Sequence, residues 1–164
     1  MKKMLLAIGA MVVAATSAVA DLYATLIVNG TPYDQGGEGW TFDGATVALT
    51  NAGPFVLSTG GANFTSNVAV VAQADCAVTF TNLEVFAGNH AGLSPFTVAP
   101  GVSVALTLKG NTVLRAGSGA AAITVVSNAT GVASLTIDAD ASDTFHTLGA
   151  TGGNQGAGIG GGSL

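Results

Sequence analysis

The sequence predicts an all-β chain wound as a parallel β-solenoid of roughly four coils. Three observations carry that prediction: a composition suited to strands and turns, short runs that alternate apolar and polar residues, and the return of those runs at nearly constant spacing. Gly, Ala, Val and Thr are abundant, whereas only 8% of residues are charged. Helix surfaces are usually built from Glu, Lys, Gln and Arg, and small and β-branched residues suit strands joined by tight turns. The alternation is clearest in Val47-Ala48-Leu49-Thr50, Val78-Thr79-Phe80-Thr81, Leu106-Thr107-Leu108-Lys109 and Leu135-Thr136-Ile137-Asp138. Each run reads as a half-buried strand with its first and third residues inward. Counted from Val47, the runs recur after 31, 28 and 29 residues.

Two further strand sets complete each unit. Val68 and Val70, Phe96 and Val98, and Ile123 and Val125 precede the core runs. Pro54-Phe55-Val56-Leu57, Glu84-Val85-Phe86-Ala87, Thr112-Val113-Leu114-Arg115 and Phe145-His146-Thr147-Leu148 follow them. Three strands per unit, separated by turns and repeated at similar length, are what stacked parallel coils require. A β-sandwich is the alternative, because its strands are also short and closely spaced, but it does not need inward residues to recur at fixed distance. The general hand of parallel crossovers makes such a coil right-handed.

The chain divides into four parts. Residues 1–20 have the anatomy of a secretion signal: the basic pair Lys2 and Lys3, an apolar run from Met4 to Ala15, and the small-residue site Ala18-Val19-Ala20. The apolar run falls short of the roughly 20 residues a membrane helix needs. Residues 21–45 form an N-terminal strand or cap region, 46–149 the coils, and 150–164 a Gly-rich incomplete coil or flexible end. The protein is therefore expected outside the cytoplasm, secreted or at the cell surface, with no membrane span in the mature chain.

Charge and cysteine count exclude several function classes. After cleavage, Lys109 and Arg115 face nine acidic residues, a formal charge of −7. A phosphate backbone would be repelled, so nucleic acid is not an expected partner. The single cysteine, Cys76, cannot form an internal disulfide and reads as a small buried hydrophobe.

Candidate sites are few, and each has a plain structural counterpart. Trp40, with Tyr33 and Phe42 near it in sequence, is the one concentration of aromatic rings. Exposed rings stack on sugar faces, which makes Trp40 and Tyr33 the carbohydrate candidates; the counterpart is a cap over the first coil, beside Gly36, Gly37 and Gly39. Asp138, Asp140 and Asp143 could offer oxygens to Ca²⁺, but an EF-hand glycine and a distal Glu are missing, and a solvated acidic turn is the better reading. No other cofactor is expected. Gly156 to Gly161 formally match GxGxxG, yet without the βαβ context of a dinucleotide site these glycines read as a solenoid corner. His90 and His146 lack an adjacent nucleophile, and Lys109 and Arg115 are the sole candidate bases for a polysaccharide lyase or hydrolase. The chain is therefore not expected to be an enzyme. The open last coil invites further coils or self-association at its edge.

Thr107-Leu108-Lys109-Gly110-Asn111-Thr112-Val113-Leu114, Ser134-Leu135-Thr136-Ile137-Asp138 and the Gly-rich stretch from Ala150 to Gly162 resemble bacterial cell-surface proteins with Gly-rich right-handed parallel β-helix repeats. The likeness runs from Ser94 to Leu164. It implies an extracellular or outer-surface protein used as an adhesin, a passenger or a carbohydrate-binding scaffold, with polysaccharide or a cell-surface glycan as partner. Such proteins continue for many coils, so the chain is expected to be the N-terminal piece of a longer one.

Overall fold

The computed structural model describes residues 25–88, 90–129 and 131–162. The expected export signal, residues 1–20, lies outside the described residues. The described chain is all-β, with a single 3-10 turn at Tyr33–Gln35 and no α-helix. Its strands form two mixed sheets, one of eight strands and one of six.

The first strands run antiparallel. β1 (Ile27–Val28) pairs with β2 (Thr31–Pro32), and β3 (Trp40–Phe42) pairs with β4 (Thr46–Leu49). From β4 onward the chain passes repeatedly between the sheets. β5 (Phe55–Ser58) and β6 (Asn63–Thr65) lie in the larger sheet, β7 (Ala69–Ala72) in the smaller, and β8 (Cys76–Phe86) spans the larger in one bent strand. The pattern repeats with β9 (Phe96–Val98), β10 (Ser103–Arg115) and β11 (Ile123–Val126). It repeats again with β12 (Ser134–Ala139), β13 (His146–Thr151) and β14 (Ile159–Gly162).

Every pairing between successive passes is parallel. In the smaller sheet the strands stack in the order β4, β7, β9, β11 and β14; in the larger, β8 and β10 lie between β5 and β6 on one side and β12 and β13 on the other. Register aligns the inward side chains in rows. One row runs Val47, Val70, Phe96, Ile123, Ile159, another Phe55, Val78, Leu106, Ile137, and a third Phe64, Val85, Leu114, Ala150. The strand burial patterns alternate accordingly, as BeBiB at the start of β8. Phe80 and Phe96 meet edge to face, with ring centroids 5.2 Å apart, linking the two sheets across the core.

The sequence-based alignment of the first unit is shifted by one strand. Val47 and Leu49 pair with Val70 and Ala72 of the smaller sheet, and Phe55 is the residue aligned with Val78. The spacing of 31 residues from Val47 therefore joined strands of different sheets; register advances by 23 residues in the first pass, from Phe55 to Val78. Both strands carry the same period-two alternation, which contains no signal for which sheet a strand enters. Likewise Leu106 aligns with Ile137 and not with Leu135.

Corners are set by glycine and asparagine. Between Lys109 and Thr112 the register with β8 slips, so that Gly110 and Asn111 face Asn82. Asn82 (φ 44°) and Gly110 (φ 71°) both occupy the left-handed region, which suits these residue types. The Asn82 side-chain oxygen accepts from Asn111 N at 3.3 Å, and Thr147 Oγ1 donates to the Asn111 side chain, continuing the column. In the preceding pass, Thr59 Oγ1 accepts from Glu84 N at 2.9 Å at the corresponding corner.

A second column of corners links the end of the larger sheet to the smaller. Leu93 N donates to His90 O, Ala120 N to Gly117 O, and Gly156 N to Gly153 O, closing three equivalent turns. Their third residues are Gly92 (φ 77°), Gly119 (φ 80°) and Gln155 (φ 68°). The turns also bond to one another: Gly92 N to Ser118 O and Gly119 N to Asn154 O, each at 2.8 Å. Backbones approach so closely that a Cβ at Gly117 would strike His90 O, and one at Gly153 would strike Gly117 O. The Gly-rich stretch is thus explained by stacking. Of the two expectations for residues 150–164, the strand at Ile159–Gly162, paired with β11, matches the incomplete coil.

Two substitutions test this packing. Gln155 is the non-glycine member of the turn column, so Gln155→Gly should stabilise by about 0.5–1 kcal/mol, while Gly119→Ala, with open space around it, should destabilise by about 1 kcal/mol or more through φ alone. Thr112 is fully buried between Leu83 and Leu148 in register, and its Oγ1 has no hydrogen-bond partner. Thr112→Val, which keeps the shape and removes that hydroxyl, should raise the unfolding free energy by about 1 kcal/mol in a denaturant titration.

Candidate functional site

The aromatic candidates belong to the antiparallel N-terminal end. β3 lies at the edge of the smaller sheet and turns Trp40 inward, leaving it 2% exposed. Its indole rests against Gly37, where a Cβ would collide with the ring. Tyr33, half-buried, meets Phe42 edge-on (centroids 5.0 Å, 84° between planes) and Phe64 at 5.5 Å and 61°. Steeply inclined rings offer no flat surface on which a sugar could lie, and Trp40 has no exposed face. These rings cover the first pass of the core.

The acidic candidates are divided among local turns. Asp143 accepts from Gly110 N at 2.8 Å and from Phe145 N at 3.2 Å, while Asp138 accepts from Ala139 N at 2.8 Å. Asp140 accepts from the hydroxyl and the N–H of Ser142 at 2.7 and 2.9 Å and lies 3.7 Å from the Lys109 ammonium. The Ser142 bonds, led by its hydroxyl, hold the Asp140 carboxyl below the ordinary carboxylate value, and the Lys109 charge adds to them. Among the described residues no three His, Cys, Asp or Glu side chains are grouped to hold a metal ion.

The remaining reactive groups lie apart. Cys76 is buried in register with Val104, and burial, followed by the nearby Asp75 charge, pushes its thiol upward. A neutral, enclosed thiol is a poor nucleophile. His90 and His146 are exposed in separate corners. Arg115 sits over the Phe86 ring, 4.7 Å from its centroid, on the outer face of the larger sheet. Its guanidinium covers the most accessible outward ring of that sheet.

Two shallow clefts accompany these groups. One, of about 350 Å³, follows the outer face of the smaller sheet; Thr97 and Thr124 floor it and the turns at Gly92 and Gly119 wall it. Its one side-chain pair, Ser94 and Thr124, is bonded to itself at 2.6 Å. The other, about 230 Å³, lies beside Asn29, Glu38 and Asn51. Both amides there already serve backbone groups: Asn29 accepts from Val56 N at 2.7 Å and Asn51 from Gly53 N at 2.9 Å. Neither cleft gathers an acid, a base and a nucleophile.

Sequence reasoning missed the most unusual surface, the C-terminal edge. Among the described residues, four of the five exposed large hydrophobic side chains lie there: Val132 (80%), Phe145 (67%), Ile159 (47%) and Ile137 (38%). Ile137 was expected inward, and it does end the Phe55–Val78–Leu106 row; it is exposed because β12 has no strand on its far side. The signal in the sequence was the unbroken alternation through Ile137, which identifies an inner face without stating whether anything covers it.

The sequence matches no protein-family model, and comparisons with curated proteins and with solved structures give no match. No helix among the described residues is long and apolar enough to cross a membrane.

Acid should weaken the fold through its turn carboxylates. Asp43 accepts from Ala45 N and Thr46 N at 2.9 and 2.7 Å, and these bonds hold its carboxyl below the usual value, as Ser142 does for Asp140. A carboxyl lowered on folding stabilises fully above its unfolded value near about pH 4 and loses that contribution as pH falls through the folded value. The melting temperature should therefore fall on acidification below about pH 4, and Asp43→Ala should flatten part of that fall.

Proposed function

We propose that this protein is an exported, non-enzymatic structural element, a right-handed parallel β-helix that contributes a rigid acidic shaft to a surface structure. The observation that carries the reading is the continuous in-register stacking of parallel strands from β4 to β14. Parallel strands joined through a second sheet, with aliphatic rows running from pass to pass, support a coil better than a sandwich of hairpins. The export signal in residues 1–20 supports placement outside the cytoplasm. Dispersed titratable groups and self-bonded polar clefts favour architecture over catalysis.

In this role the inner rows supply stiffness and the outer faces supply solubility. Outward residues such as Thr79, Thr107, Thr97 and Thr124 are small and half-buried, giving smooth faces with little charge. The adhesin-like and passenger roles implied by the resemblance use such a shaft to hold other parts away from a surface.

The test is a bacterial expression experiment followed by a binding panel. The exported fraction should contain a chain beginning at Asp21 by mass spectrometry. That purified chain, folded by circular dichroism, should neither cleave nor saturably bind a panel of soluble and insoluble polysaccharides, with Ca²⁺ or with chelator. Retention in the cytoplasm would overturn the export assignment, and saturable glycan binding by folded protein would replace the shaft with a carbohydrate-binding module.

A further inference from the structure

The two ends of the stack differ. At the N-terminal end β1, β2 and β3 close the first pass with antiparallel strands, and Trp40, Tyr33 and Phe42 cover its core. At the other end β12, β13 and β14 are the last strands of their sheets. The inner rows stop there at exposed Ile137 and Ile159.

The turn column specifies what would continue the stack. Gly92 N donates to the next turn at Ser118 O, and Gly119 N donates to the next at Asn154 O. In return Gly117 N donates to Leu93 O and Gly153 N to Ala120 O, each at 3.0 Å. Two successive junctions thus use the same pair of bonds. The third turn presents the corresponding groups, Gln155 N–H and Gly156 C=O, on the outer side of the edge. Charge adds a second condition. Lys109 of one pass lies against Asp140 of the next, and the edge itself carries Asp138, Asp140 and Asp143 with no cation of its own strands.

We propose that the C-terminal edge is a docking surface for one further parallel pass of β-strand: a segment with aliphatic inner residues, a basic outer residue, and a turn that returns a C=O to Gln155 N–H. The proposal rests on the parallel-coil reading above and names the partner that reading leaves open. Such a segment repeats the junction already made twice within the chain. A second copy meeting tail to tail would instead bring three aspartates against three.

The segment 103–126 of this chain has the required chemistry, since it carries Lys109, the turn with Ser118 and Gly119, and the inner residues of β10 and β11. A synthetic peptide of that sequence is the probe, added to the Asp21 to Leu164 chain and followed by hydrogen exchange. The expected result is saturable one-to-one binding with slowed exchange confined to β12, β13, β14 and Gln155. Ile137→Asp should weaken binding at least tenfold, and Phe145→Ser, at a more exposed position, serves if Ile137→Asp fails to fold. A scrambled peptide should give no protection.

Three results overturn the proposal: no protection of the edge, equal protection at β1 to β3, or edge protection that rises with protein concentration without peptide, which would assign the edge to a second copy. The same exchange data without peptide read the coil separately. Slow exchange through β5, β8 and β10 with no peptide effect would reject the docking segment and leave the coil standing.

Discussion

Everything in this molecule depends on the backbone ladder between one pass of the chain and the next. A single pass offers three short strands and no way to bury its inner face. Stacked in register, successive passes convert those faces into rows such as Val47, Val70, Phe96 and Ile123, in which each side chain is enclosed by the ones above and below. Because side chains alternate with period two, a slip of one residue would turn a whole row outward, so register is fixed by burial as much as by hydrogen bonds. With no disulfide available, the ladder and its enclosed rows are what hold the fold.

The ladder in turn depends on corners that stack without gaps. Glycine serves in two ways here. At Gly92 and Gly119 it supplies a left-handed backbone, and at Gly117 and Gly153 it lets one turn lie directly on another. The asparagine at position 82 uses its side chain to serve the backbone of the next pass, so that a polar corner becomes part of the same stack. A chain so poor in charged residues gains its specificity from these corners, since its faces differ little from one another.

Much of this architecture was legible in the sequence, for identifiable reasons. The strands at Val78, Leu106 and Leu135 were visible because alternation of apolar residues reports a half-buried strand directly. The solenoid expectation came from the recurrence between Val78 and Leu106, whose spacing matches the observed register. The first pass was misaligned because it is shorter, and alternation in Val47-Ala48-Leu49 is the same whichever sheet receives it. The role of the terminal glycines was only partly legible: composition marked a corner, but the contact between Gly153 and Gly117 joins residues 36 positions apart. At the aromatic site, the sequence located Trp40 and Tyr33 without distinguishing a ring that faces solvent from one that faces the core. Orientation there is decided by β3 pairing with β4, a tertiary event.

The unequal ends of the stack also give the molecule a direction in time. A polypeptide delivered N-terminus first across a membrane presents β1 to β3 and the aromatic lid before any repeated pass has emerged. The closed end can then be complete while the remainder is still in transit, and each arriving pass meets a finished edge beneath it. Assembly of this kind needs only local additions to an existing template, so no long loop has to be closed between distant parts of the chain. The same asymmetry makes the reverse order unfavourable, because a pass formed at the far end would have nothing on which to settle.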